Sequence, residues 1–122
     1  MARIELRPIR AGDYEAIYGE PLKHSIRGWV ATVDGEPKGI AGVAYVSGQV
    51  NAFSRSLPGL PRTWIARGAL ATLRMIREMN CPVLAVADPE IPTAPAFLER
   101  CGFEHVTTNS QGEVFRWRKQ PQ

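Results

Sequence analysis

Residues Val83 to Phe103 constrain the fold more than any other part of the chain. Val83-Leu84-Ala85-Val86-Ala87 is a continuous apolar run of strand length. The segment Thr93-Ala94-Pro95-Ala96-Phe97-Leu98-Glu99-Arg100-Cys101 then reads as a short helix, with Gly102 placed where a left-handed C-cap belongs. Phe103 opens a new strand and can fold back on the helix it leaves. A buried strand, a short helix and a further strand in so short a span call for a mixed α/β layer around one sheet.

The remaining segments fit that architecture. Ile4-Glu5-Leu6-Arg7-Pro8-Ile9 alternates as a half-buried strand does, and Pro8 ends it. Asp13 is placed to cap a short helix carrying Tyr14, Ala16, Ile17 and Tyr18, which Gly19 and Pro21 stop. Trp29 to Val33 is the next strand. Asp34-Gly35 is the strongest short-range hairpin signal in the sequence, with a return strand from about Pro37 to Val46. Gly48 to Ser54 is a further strand leading to Leu57-Pro58-Gly59-Leu60-Pro61. After Pro61 comes the longest helix, with Ile65, Ala69, Leu73 and Ile76 on one stripe flanked by Ala66, Leu70 and Met79, ended by Asn80 and Pro82. Phe103 to Thr108 and Glu113 to Arg118 close the chain as a strand pair joined by Asn109-Ser110-Gln111-Gly112.

Composition narrows the function classes. At 122 residues, 44% hydrophobic and 22% charged, the chain has the make-up of one soluble globular domain. No apolar run reaches the roughly 20 residues of a membrane span. Met1-Ala2-Arg3-Ile4-Glu5-Leu6-Arg7 is no signal peptide, so the expected location is the cytoplasm. Cys81 and Cys101 read as reduced thiols, and with His24 and His105 they form no metal-ligand spacing. The net charge is +3, with one basic cluster at Arg116-Trp117-Arg118-Lys119. No recognition motif accompanies that cluster, so nucleic acid is not an expected partner.

The pattern Ala94-x-x-Phe97-x-Glu99-Arg100-x-Gly102-Phe103-Glu104 resembles the last helix-to-strand junction of the GNAT N-acetyltransferase superfamily. The opening Ile4-x-Leu6-Arg7-Pro8-Ile9-Arg10-Ala11-Gly12-Asp13-Tyr14-Glu15-Ala16-Ile17 resembles the usual start of such domains. The resemblance implies an α/β fold: one GNAT-like domain over residues 1–122, with a mixed, mostly antiparallel sheet of about seven strands flanked by helices. Between Gly19 and Trp29 the chain is shorter than in most members and leaves room for one reduced helix at best.

The same resemblance implies transfer of an acetyl group from acetyl-CoA to an amine. It places the cofactor between the strand ending near Leu57 and the strand Val83 to Ala87. The implied contacts are Arg55, Ser56 and Leu57, whose backbone would steady the oxyanion, then Arg62, Thr63, Ile65, Ala66 and Arg67 at the start of the long helix, and Phe97. The pyrophosphate turn of the family falls on Pro61 to Ala66, where Pro61 replaces Arg or Gln and Trp64 replaces a Gly. In the last helix, Ile91 stands at the family's Asn and Leu98 at its Tyr, so the usual general acid is missing. Asp88 and Glu90 are the carboxylates near the right end of the sheet for a general base. A polar, proline-stiffened loop is the plainer reading of that segment, and the catalytic residues stay unassigned.

Matches that build the fold and departures at the chemistry leave a second reading open, a non-catalytic binding or structural protein on the same scaffold. In its short length and curtailed helical region the chain resembles the small GNAT-like proteins of short-tailed phages, some of them virion components. That reading implies a virion location and a protein assembly partner, with Trp64 and Arg116 to Lys119 as candidate contacts. An exposed edge strand would also allow pairing into a homo-oligomer.

Overall fold

The computed structural model describes residues 2–89 and 92–117. In chain order the elements are β1 (Ile4–Pro8), α1 (Asp13–Tyr18), β2 (Ser25–Val33), β3 (Glu36–Val46), β4 (Gln49–Ser56), α2 (Arg62–Glu78), β5 (Val83–Ala87), α3 (Ala94–Cys101), β6 (Phe103–Asn109) and β7 (Gly112–Trp117). The strands form one seven-stranded sheet in the order β1-β2-β3-β4-β5-β7-β6. Only β4 and β5 run parallel, joined by α2 as the crossover; every other pair is antiparallel. The expected mixed, mostly antiparallel sheet of seven strands is therefore present.

Local chemistry accounts for the turns. Asp34 and Gly35 both have positive φ, 50° and 85°, the conformation that a two-residue hairpin of matching twist needs. Ser47 and Gly48 repeat it between β3 and β4 with φ of 48° and 79°, a second hairpin that the expectation of a strand beginning at Gly48 did not separate out. Gly102 ends α3 in the left-handed region and donates its N–H to Glu99 at 3.0 Å, as its position predicts.

Three expectations need correction. β2 begins at Ser25, four residues ahead of Trp29, because Ser25 to Gly28 pair with Gly42 to Tyr45 of the long β3. Asp13 does not cap α1; Gly12 holds that position, and the buried Asp13 carboxylate instead takes Arg7 in an ion pair of 2.7 Å. The buried stripe of α2 is rotated from the expected one. Gly68, Thr72, Met75 and Ile76 are buried and Trp64 is half-buried, while Ile65 and Leu70 are exposed. The rotation follows from two residues that do not read as apolar. Gly68 brings the helix close to Ala41 of β3, and Thr72 satisfies its hydroxyl on Gly68 O at 2.9 Å, so both can face the sheet.

The core has two clusters on opposite faces of the sheet. Ile17, Val30 and Ile40 gather with Tyr14, Tyr18, Phe53 and Leu57 under α1. Val43, Met75, Ile76, Val83, Ala85, Ala87, Phe103 and Phe115 gather under α2 and α3. No helix forms between Gly19 and His24, so α1 alone covers its face.

Candidate functional site

The site forms where the two parallel strands part. β4 and β5 pair over only Val50↔Val83, Asn51↔Leu84 and Ala52↔Ala85. Beyond Ala52, β4 runs on to Ser56 and β5 to Ala87 without pairing to each other. A cavity of about 150 Å3 fills the opening. Its walls come from both strands, from Ala69, Thr72 and Leu73 of α2, and from Ala94, Phe97 and Leu98 of α3. The opening owes its space to missing volume: Ala41, Ala52, Ala69, Ala85, Ala87 and Ala94 all line it.

The free edge of β4 brings backbone polar groups to this wedge. Leu57 donates its N–H to Lys38 O of β3 at 2.7 Å. Backbone groups of a strand alternate sides, so Arg55 also bonds toward β3, opposite Ile40, while Ser54 and Ser56 point their N–H and C=O into the opening. Of the expected backbone segment Arg55, Ser56 and Leu57, the alternation directs only Ser56 to the wedge, with Ser54 as its companion. The sequence carried no sign of this, because it depends on register.

At the start of α2, Pro61 occupies the N-cap with no side-chain capping bond. The N–H groups of Trp64 and Ile65 reach Pro61 O at 3.0 and 3.3 Å, and helix geometry leaves those of Arg62 and Thr63 without an intrahelical acceptor. Arg62, Thr63, Ile65, Ala66 and Arg67 are all exposed around this helix start. Trp64 is absent from the wedge lining. It walls a second cavity, about 130 Å3, with Trp29, Leu60 and Gly68, and the Arg67 guanidinium lies 4.4 Å from the centre of its ring. The two cavities share Ala41, Ser54, Ala69 and Phe97.

Phe97 thus stands between the cavities, and Leu98 lines the wedge as an apolar residue with no proton to give. Asp88 lines the wedge just past β5. Cys101 also lines it, and burial pushes its thiol above the usual range, opposed in part by Arg100. On the other face Tyr14 and Tyr18 stack at 4.4 Å, with Phe53 at 6.4 and 6.3 Å from them. Burial, with Tyr14 nearby, pushes the Tyr18 phenol up to about 12. Glu90, Ile91, Arg118 and Lys119 lie outside the described residues; Arg116 is exposed on β7. Among the described residues no cluster of three His, Cys, Asp or Glu side chains is placed to hold a metal, and no helix is long and apolar enough to cross a membrane.

No protein-family profile matches the chain, and no curated protein matches it in sequence. Solved structures do. An acyl-CoA N-acyltransferase from Pseudomonas aeruginosa aligns with a TM-score of 0.68 at 13% identity, covering 95% of this chain and 100% of that one. The ribosomal-protein-S18-alanine N-acetyltransferase of Escherichia coli aligns at 0.67 and 12% identity, over 94% and 93%. A probable GNAT-family acetyltransferase from Chromobacterium violaceum aligns at 0.64 and 14%, over 93% and 86%. These alignments run over nearly the whole chain, and on them the chain has the GNAT N-acetyltransferase fold.

Proposed function

We propose that this protein binds an acyl-CoA in the β4–β5 wedge and transfers the acyl group to an amine. The observation that carries this reading is the parting of β4 and β5 after three residue pairs into an apolar opening edged by unpaired backbone. The residues present fit a pantetheine arm. The Ser56 amide suits its amide groups as a substitute strand would, and the alanine walls leave width for the chain. Arg62, Thr63 and Arg67 would hold the phosphates with the open N–H groups of the first turn of α2. Ile65, Ala66, Leu57 and Phe97 complete the proposed cofactor surface. Trp64, in the place of a glycine, lines the second cavity and does not join the lining of the wedge.

Bound there, the thioester supplies the acyl group. Asp88 takes one proton from the acceptor ammonium and leaves a neutral amine. With acyl-CoA held there, the neutral amine would take the acyl group from the thioester, C–N bond formation balancing C–S cleavage and the amine's second proton passing to the thiolate through solvent. Leu98 contributes no proton. One N–H of this edge, that of Ser54, would receive the developing oxyanion, leaving that of Ser56 to the pantetheine amides.

The test is a titration of labelled protein with millimolar CoA, read by amide chemical shifts. Shifts at Phe53 to Arg67 and Ala85 to Asp88 are expected; unchanged shifts there would overturn the reading. The second reading, a scaffold protein without catalysis, rests on the Trp64–Arg67 stack and on Leu98, and it is favoured by that negative result.

A further inference from the structure

Behind the start of α2 lies a space that acetyl transfer leaves unused. On β2, Val30 belongs to the cluster under α1, so Trp29 and Ala31 on either side of it face α2. Both line the second cavity, about 130 Å3, between Gly39 and Ala41 of β3 and Trp64 and Gly68 of α2. Small residues leave this space open, as they do in the wedge. One polar atom is out of place in such apolar surroundings. Among the described residues, Trp29 Nε1 is the buried side-chain nitrogen without a hydrogen-bond partner. An unmet buried donor is costly, which favours an acceptor supplied from outside the chain.

This cavity borders the wedge. Trp29 pairs with Ala41 and Ala41 with Ser54, so the three stand in one row across β2, β3 and β4. Strands lie about 4.8 Å apart, which puts the Trp29 and Ser54 backbones about 10 Å from each other. Ala41, Ser54, Ala69 and Phe97 line both spaces. The partition is therefore three small residues and one ring, and that ring belongs to a residue 36% exposed. An acyl carbonyl received at the Ser54 N–H has its chain at the border of the second cavity.

We infer that the acyl group is longer than acetyl, with about four to six carbons and an uncharged oxygen, and that its chain occupies the second cavity with the oxygen at Trp29 Nε1–H. This rests on the acyl-transfer reading above and names the acyl class for the same site. The length follows from the volume, since an apolar cavity of this order accepts a benzene ring. The oxygen follows from the indole, which donates and cannot accept. Its neutrality follows from the two nearby arginines. The Arg55 guanidinium lies over the Tyr18 ring on the α1 face, and that of Arg67 lies over Trp64. A carboxylate would thus enter an apolar space with no cation to meet it. The bonds made and broken stay those of the transfer described above.

The experiment titrates the protein with acetyl-, butyryl-, hexanoyl-, 3-oxobutyryl-, 5-oxohexanoyl- and succinyl-CoA, read by calorimetry and by the Trp29 indole N–H resonance. Butyryl- and hexanoyl-CoA should bind roughly 10- to 100-fold more tightly than acetyl-CoA, from the methylenes they bury. At least one oxo chain should gain about 3- to 10-fold over its hydrocarbon counterpart and shift the Trp29 resonance. Trp29→Phe keeps a ring and removes the donor. It should abolish the oxo preference and keep the preference for length. Ala31→Leu, outside the wedge, should remove the preference for length, and its affinity for acetyl-CoA reports that it folds. Equal binding of all uncharged chains would overturn the inference and leave Trp29 to an ordered water. An oxo preference that survives in Trp29→Phe, or a preference for succinyl-CoA, would overturn it as well. Failure of every CoA thioester to bind would instead overturn the acyl-transfer reading.

Discussion

Arg7 and Asp13 show how much one residue pair can hold in a protein of this size. The guanidinium donates to the two carboxylate oxygens at 2.7 and 2.9 Å, and the Arg10 N–H adds a third bond at 2.6 Å. This ties β1 to the first turn of α1 with an Asp that is only 5% exposed. The hydrogen bond from Arg7 holds the carboxyl below its usual range; desolvation opposes it, and the Arg10 N–H adds to the lowering. A carboxyl depressed in the folded state stabilises the fold above its unfolded value, near 3.8 here, and that contribution is lost as pH falls through the lower folded value. Asp13→Ala leaves a partly buried guanidinium without its partner, so it should cost about 3 kcal/mol at pH 7. Urea unfolding of both proteins checks this, and the gap between them should narrow as the pH drops below 3.8. The sequence suggested Asp13 as a helix cap because Asp before a short apolar segment usually serves as one. Which role it takes depends on Arg7, one strand away, and on Gly12 adopting a φ of 88°.

At the scale of elements, the long helix shows what the sequence pattern could and could not convey. Its existence and its ends were legible from Pro61, the apolar spacing and Pro82. Its buried face was not, since Gly68 and Thr72 face the sheet while Ile65 and Leu70 face out. Trp64 stands where the family's phosphate turn has a Gly; in the fold it is half-buried, extends the buried row Gly68, Thr72 and Met75 by one turn and walls a separate cavity. The wedge was legible in position, from the apolar strand Val83–Ala87, but not in shape. Its width comes from side chains too small to fill the gap, and its polar edge from the strand register fixed at Leu57. Two glycines should respond to alanine in opposite ways. A Cβ on Gly68 would lie 3.9 Å from Ala41 Cβ, an ordinary contact, so Gly68→Ala should stabilise the protein by about 0.5–1 kcal/mol through helix propensity. Gly102 has a φ of 104° and its Cβ would come to 3.0 Å from the Trp117 ring, so Gly102→Ala should destabilise by about 1–2 kcal/mol. Denaturant midpoints for the two variants decide both signs.

On the scale of the whole molecule, the sheet is two units joined by a narrow seam. β1 to β4 carry α1, β5 to β7 carry α3, and between them run three residue pairs and the helix α2. The wedge sits at that seam, so a ligand filling it would touch both units and add contacts that the unfolded chain lacks. A ligand binding only the folded state at 100 times its Kd adds roughly 2.7 kcal/mol. For a chain between the small and mid-sized classes that corresponds to a rise in Tm of about 10 °C. Acetyl-CoA should therefore raise the Tm by an amount that keeps growing with the logarithm of its concentration above Kd, with slowed amide exchange in Val86 and Ala87 at the unpaired end of β5 as well as in β4. Protection confined to the start of α2 would show a ligand held by its phosphates alone, with the wedge unused. Ala69→Phe supplies the control, because it places a ring in the wall shared by the two cavities and lies away from both seam strands. That variant should keep a cooperative unfolding transition and lose the shift on adding acetyl-CoA. An undiminished shift in Ala69→Phe would move the cofactor out of the wedge and onto the exposed arginines of the helix start.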